Sequence, residues 1–418
     1  MLTTIKDAWK VPDLRKRMLF TLAMLCIFRL GGFITVPFVN ADAVDQMVSG
    51  NSMFGLLNIV SGNNFRTFSI FAMSITPYIN ASIILQLLTI AIPSLEKLTH
   101  EGEEGRKKIA SYTRYLTVVL ALIQALGISI GFKSILTTDS TFATLVVALT
   151  ITAGTSFLMW LGENITQYGI GNGISLLIFT GIIANVPAAI AYLSEQLMSG
   201  TMTYVLLIIL LVAAVLIIAG VVQINEGTRK IPVQYAQRVV GRKMYGGQNT
   251  HLPLKINQSG VMPIIFASTI TMFPATLASF FPGSKFATWI STHLAWGGVA
   301  STIIYIVMIV FFTYFYTLVT FNPEEVARNL KQNGGFIPGI RAGKPTENYL
   351  RKVLNRLMVA GSIFLVAIAV LPIIVGNVLN LSLQFGGTSL LIVVGVALET
   401  VNQLEQQMIQ RNYRGFLQ

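Results

Sequence analysis

The sequence predicts an all-α, polytopic membrane protein with ten transmembrane helices, and three observations carry that prediction. First, 53% of its 418 residues are hydrophobic and only 11% are charged, with a mean hydropathy of +0.68, which does not fit a water-soluble surface. Second, apolar runs of about 20 residues, the length that a bilayer core of about 30 Å requires, recur ten times. Third, the basic residues are sorted. Of the 29 Lys and Arg, 25 fall before the first run, after every second run or after the tenth. Only Arg66, Lys133 and Lys285 belong to the opposite side. Basic residues near span ends stay in the cytoplasm, so both termini are expected there, and the formal charge of +12 needs no nucleic acid to explain it.

The expected spans are Met18–Pro37, Thr67–Ile92, Leu116–Ile135, Phe142–Leu161, Ile174–Leu193, Tyr204–Val222, Gly260–Phe281, Gly298–Phe321, Leu357–Val375 and Gly387–Leu404. Lys6, Lys10, Arg15, Lys16 and Arg17 precede the first, with no small-residue cleavage pattern behind it, so it reads as a retained span. Cys26, the only cysteine, excludes a disulfide within the chain and a cysteine metal site. Between spans 1 and 2, residues 51–65 place Met53, Phe54, Leu56, Leu57 and Val60 at helical spacing over too short a length to cross. They read equally as a half-helix dipping back toward the protein or as a helix on the membrane surface, weakly held in either case by Gly55, Gly62 and the asparagines. Pro77 in span 2 and Pro263 and Pro274 in span 7 are expected to kink those helices, Pro187 and Pro372 more mildly. Three segments, Pro93–Tyr115, Gln223–Ser259 and Asn322–Arg356, are longer and more basic than anchoring requires, and suggest a docking surface. Ten spans divide five and five, and an odd number per half inverts the second half relative to the first.

The chemistry is mostly negative. Arg29 is the only charge well inside a span, and Glu163 and Glu399 lie near the cytoplasmic ends of spans 4 and 10, so a proton relay has no basis. Arg29 is expected to reach a polar partner or the external interface. His100, His251 and His293 lie in loops without metal-ligand spacing. The glycines of Gly169–Gly173 lack the Lys-Ser/Thr of a phosphate loop and read as a flexible lead-in to span 5.

Five stretches, in order along the chain, resemble the SecY/Sec61-alpha family, the pore-forming subunits of Sec protein translocons. They are Ser74–Leu88 (SITPYINASIILQLL), Trp160–Glu163 with Gly169–Ser175 (WLGE, GIGNGIS), Thr250–Lys255 (THLPLK), Asn322–Glu325 with Gly335–Arg341 (NPEE, GFIPGIR) and Phe385–Ile392 (FGGTSLLI). The resemblance implies a passive protein-conducting channel, not an enzyme and without cofactors. Two inverted five-helix halves, 1–193 and 194–418, clasp a central pore and open sideways between spans 2 and 3 on one half and 7 and 8 on the other. It implies a pore ring at Ile75, Ile79, Ile174, Ile178, Ile265 and Ile392, any one of which, read alone, is ordinary packing. It implies a plug at residues 51–65, including Phe54, Gly55, Leu56, Leu57, Asn58, Val60, Gly62 and Asn64. It also implies SecA and ribosome docking through Arg238, Arg242, Lys243 and Arg341, with Arg341-Ala-Gly343 standing where many relatives have Arg-Pro-Gly. The implied partners are SecE-type and SecG-type subunits, the SecA motor ATPase, the ribosome, signal-bearing precursors, membrane lipid and a YidC-type insertase. The implied location is a bacterial cytoplasmic membrane. The competing class is an inverted-repeat secondary transporter of a small solute, which calls for a charged or polar mid-membrane site.

Overall fold

A computed structural model describes residues 2–40, 43–44, 58, 61–131, 136–138, 140–200, 203–235, 238–240, 243–245, 250–279, 284–294, 298–379 and 387–415. Every expected span contains a helix. They run α1 Leu2–Lys10, α2 Pro12–Gly31, α3 Thr76–Ala91, α4 Pro93–His100, α5 Glu103–Gly131, α6 Thr141–Tyr168, α7 Gly173–Ala184, α8 Val186–Met198 and α9 Tyr204–Glu226, then α10 Met262–Ser279, α11 Lys285–His293, α12 Val299–Thr320, α13 Pro323–Gln332, α14 Lys344–Leu379 and α15 Gly387–Gly415. Six stretches are long and apolar enough to cross a membrane: α5, α6, α7 with α8, α9, α12 and α14. A seventh is α3 with α4, if the 104° bend between them is taken within one span. By the same measure α10 is a shorter apolar helix.

Several boundaries correct the sequence reading. The second helix begins at Thr76, nine residues later than expected, because the chain from Ser61 to Ile75 is a run of turns with Asn63, Phe68 and Ser74 at positive φ. Pro77 is therefore in the first turn of α3, where its missing N–H is no loss, and it starts the helix instead of kinking it. Pro263 likewise sits in the first turn of α10, leaving Pro274 as that helix's interior proline. Pro187 opens α8 and splits the fifth span at Asn185, while Pro372 lies inside α14.

Helices α2, α3, α5, α6 and α7 pack among themselves, as do α9, α10, α12, α14 and α15. The two groups meet where α3 and α5 touch α10 and where α7 touches α15. One apolar core runs through both, from Phe28, Phe71 and Leu161 to Phe266, Tyr305 and Val396. The surface of α9 is the opposite case. Val221 is its only buried residue among those described, so this strongly apolar helix presents nearly its whole girth outward.

Two of the long basic segments are not loops. Strand β1 (Thr228–Tyr235) pairs antiparallel with β4 (Thr250–Lys255) and with β5 (Gly335–Phe336), in the order β4-β1-β5, while β2 (Arg238–Val240) and β3 (Lys243–Tyr245) make a hairpin between them. Ile231 and Leu254 from the first segment pack with Ile337, Leu350 and Val353 of the second. The alternation of apolar and polar residues from Thr228 to Tyr235 is the period-two signal that announced the strand.

Candidate functional site

The helices bring the predicted ring together at their N-terminal turns. Ile75 caps α3 and Ile79 follows one turn later, on the same face. Ile174 and Ile178 occupy the first two turns of α7, whose start is fixed by Asn172: its side-chain oxygen accepts from the backbone N–H of Ile174 at 3.1 Å and of Ser175 at 3.3 Å. Ile265 lies in the first turns of α10 and Ile392 in those of α15. Five of the six are buried, Ile174 is partly so, and all belong to the one core.

Two cavities meet at this layer. One, lined by Phe65, Met73, Asn80, Gln124, Thr269 and Ile392 among others, holds about 830 Å³ of empty space, its mouth included. The other, lined by Tyr78, Ser82, Gln86, Asn172, Ile174 and Ser175 among others, holds about 640 Å³. Ile79, Ile178 and Ile265 line both, and so form the partition between them. Ile392 faces the first cavity and Ile174 the second, whereas Ile75 is buried in the packing behind and lines neither. The layer is uncharged, so neither water nor a hydrated ion finds a partner there.

The polar linings escaped the sequence reading. Tyr78, Ser82 and Gln86 stand four residues apart along α3, a polar stripe on an otherwise apolar helix, with Gln86 Nε2 donating to Ser82 Oγ at 3.3 Å. Gln86 Oε1 and Ser175 Oγ are buried without a protein hydrogen-bond partner, and both residues line the second cavity. Such groups are ordinarily satisfied by water, which suits a wetted chamber up to the isoleucine layer.

The glycines before α7 are a rigid corner, not the flexible lead-in expected from the sequence. Gly171 has φ +86°, a Cβ on Gly173 would collide with the Gly162 carbonyl, and the Gly173 N–H donates to Thr166 Oγ1 at 2.9 Å. Gly173→Ala is accordingly expected to destabilise the protein by about 1–3 kcal/mol through overpacking, read as a lower melting temperature in detergent.

Of the segment 51–65, the predicted positions Phe54, Gly55, Leu56, Leu57 and Val60 lie outside the described residues. Asn58, Gly62 and Asn64 do not, and they are held more firmly than expected. Asn58 accepts from the Arg66 N–H and donates to Asn63 Oδ1, both at 2.8 Å. Gly62, at φ +71°, lies against the backbone of Gly181 in α7. Asn64 is buried against Gly32, and the Arg29 guanidinium donates to the Gly62 carbonyl at 2.9 Å. Arg29 thus finds the polar partner expected of it.

The predicted docking residues sit on the joined basic segments. Arg238 and Lys243 lie in the β2–β3 hairpin, Arg242 lies outside the described residues, and Arg341 is exposed between β5 and α14. The loop at Arg341 is tied down despite lacking the proline: Thr346 Oγ1 donates to the Arg341 carbonyl at 2.9 Å.

A partition of isoleucines between two chambers, with a separately anchored segment beside one of them, is an architecture known from one family, and the SecY family model matches residues 69–401. The chain belongs to the SecY family. Over the full length of both chains it is 47% identical to the protein translocase subunit SecY of Bacillus subtilis (strain 168). Its fold is that of a SecY whose plug domain is described as stabilising the closed state of the translocation channel and maintaining a membrane seal. That match has TM-score 0.67 and 19% identity, and covers 95% of this chain and 93% of that one. It is also similar to Sec61 in the canine ribosome-channel complex of the endoplasmic reticulum, with TM-score 0.64 and 17% identity over 95% of this chain and 93% of that one.

Proposed function

We propose that this chain is the central subunit of a protein-conducting channel. It translocates secretory polypeptides across a bacterial cytoplasmic membrane and releases membrane-protein segments sideways into lipid. The observation that carries this reading is the single apolar layer of Ile79, Ile178 and Ile265 between two chambers. Flexible aliphatic side chains can move aside for an extended polypeptide and close behind it, whereas a solute carrier needs polar groups at the partition. The Ile75, Ile174 and Ile392 side chains complete the ring when the helices part.

The ten spans form two inverted halves, residues 1–193 and 194–418, with both termini in the cytoplasm. The lateral exit lies where α3 and α5 meet α10 and α12. Segment 51–65 is the plug. The chain is a passive conduit: SecA or a translating ribosome supplies the energy, docking on Arg238, Arg242, Lys243 and Arg341, where clustered positive charge suits rRNA phosphates and acidic protein faces. A SecE-type subunit braces the two halves from outside, and SecG-type and YidC-type partners join the same assembly.

A stalled precursor tests the path. With photo-crosslinking residues placed one at a time at Ile79, Ile178 and Ile265, each is expected to crosslink the arrested polypeptide, while the lipid-facing Val215 on α9 does not. Crosslinks at Val215 alone place the polypeptide elsewhere and end this reading.

A further inference from the structure

Arg29 lies in the last turn of α2, within the expected first span, where an ionised side chain is expensive unless it is paired. Among the described residues no carboxylate bridges it. Its contacts are the Gly62 carbonyl at 2.9 Å and the face of Phe33, 5.6 Å from the ring centroid. The Gly62 carbonyl is aimed by a left-handed turn at φ +71°, a conformation glycine adopts without strain. The turn is also pressed so close to α7 that a Cβ on Gly62 would stand 2.6 Å from Gly181 Cα. Next to it, Asn64 packs on Gly32, where a Cβ would strike the Asn64 side-chain oxygen. Ser61 Oγ accepts from the Phe65 N–H at 3.1 Å and closes the turn from within. Residues 61–65 are therefore clamped between α2 and α7 by two glycine contacts and one charge.

We infer that Arg29 is a latch: its hydrogen bond to the Gly62 carbonyl holds the base of segment 51–65 seated, and its release accompanies displacement of that segment. The consequence for the channel rests on reading the segment as the plug; the latch itself rests on the contacts above. When the base lifts, the guanidinium loses its acceptor inside a span, so the seated state is favoured by the full strength of a charge-assisted hydrogen bond in a weakly hydrated place. Arginine suits the role because it stays charged and its planar fork can hold the carbonyl while lying over Phe33.

The test uses the chain assembled with its SecE-type partner in lipid vesicles, with Cys26→Ser removing the native thiol and Ser61→Cys reporting on the buried base. Labelling by a membrane-impermeant maleimide added outside is expected to be roughly tenfold faster in Arg29→Leu than with Arg29 intact, the scale of one charge-assisted hydrogen bond. Arg29→Lys, a single-point donor, is expected to fall between them, and decides the matter if the leucine variant does not assemble. Equal labelling in all three overturns the latch. Ion flux through a variant lacking residues 51–57 tests the plug reading separately. Flux without any labelling change in the Arg29 variants sinks the latch alone. Faster labelling without flux supports the latch as an anchor and removes the plug.

Discussion

Ile178→Asn is expected to make the resting channel leak small ions. Ile178 is buried and lines both chambers, so an amide there offers water a hydrogen-bonding site in the middle of the partition. A polar group that water can satisfy is worth about 1–3 kcal/mol in protein settings. Each 1.4 kcal/mol taken from the barrier to wetting raises the crossing rate about tenfold. The resting conductance of reconstituted channels should rise at least about tenfold, and further when Ile79→Asn is added. Ile75→Asn, placed behind the partition, should instead act on stability, leaving an unsatisfied amide in the core at about 1–3 kcal/mol, with little leak. Equal leaks from Ile75 and Ile178 would mean that the partition is not where these two cavities meet.

Arg341→Glu is expected to stop motor-driven transport while leaving the resting seal intact. The residue is exposed between β5 and α14, so reversing its charge disturbs no packing. The backbone that presents it is fixed by Thr346, whose hydroxyl donates to the Arg341 carbonyl whatever the side chain is. A like-charge juxtaposition against an acidic partner costs several kcal/mol, so SecA-dependent accumulation of protected precursor should fall at least about tenfold. Arg341→Lys should retain part of it. An Arg341→Glu channel that transports normally would place the motor contact elsewhere on the basic segments.

The membrane-spanning elements were legible because one physical demand, about 20 apolar residues per crossing, writes itself into composition. Their ends were less so. The first half of the expected second span is as apolar as a helix, yet it folds as turns because residues 34–36 pair with it: the Ile70 N–H donates to the Ile34 carbonyl at 2.9 Å and the Val36 N–H to the Phe68 carbonyl at 3.0 Å. Nothing local encodes that partnership. The start of α14 at Lys344, 13 residues before the expected Leu357, was hidden for the opposite reason. Its first turns are amphipathic and bury Leu350 and Val353 against β1 and β4, a contact between two distant segments. The β-sheet itself was readable from its alternation, but it lay inside segments whose charge drew the attention.

At the candidate site, the isoleucines meant nothing singly, since an isoleucine on an apolar helix is most often core; family resemblance selected them, and the cavities then separated Ile79, Ile178 and Ile265 from Ile75. Arg29 was visible as an anomaly, an ionised side chain in a span. Its acceptor was not, because a backbone carbonyl 33 residues away carries no sequence signature.

The central claim is tested most directly by transport itself. The chain, reconstituted with a SecE-type partner in lipid vesicles, is given SecA, ATP and a signal-bearing precursor, and the precursor protected from added protease is measured. Protected precursor that requires ATP, and that disappears in the Arg341→Glu channel, is the predicted result. No protection with the wild-type chain, while the same motor and precursor work on another channel, would contradict it.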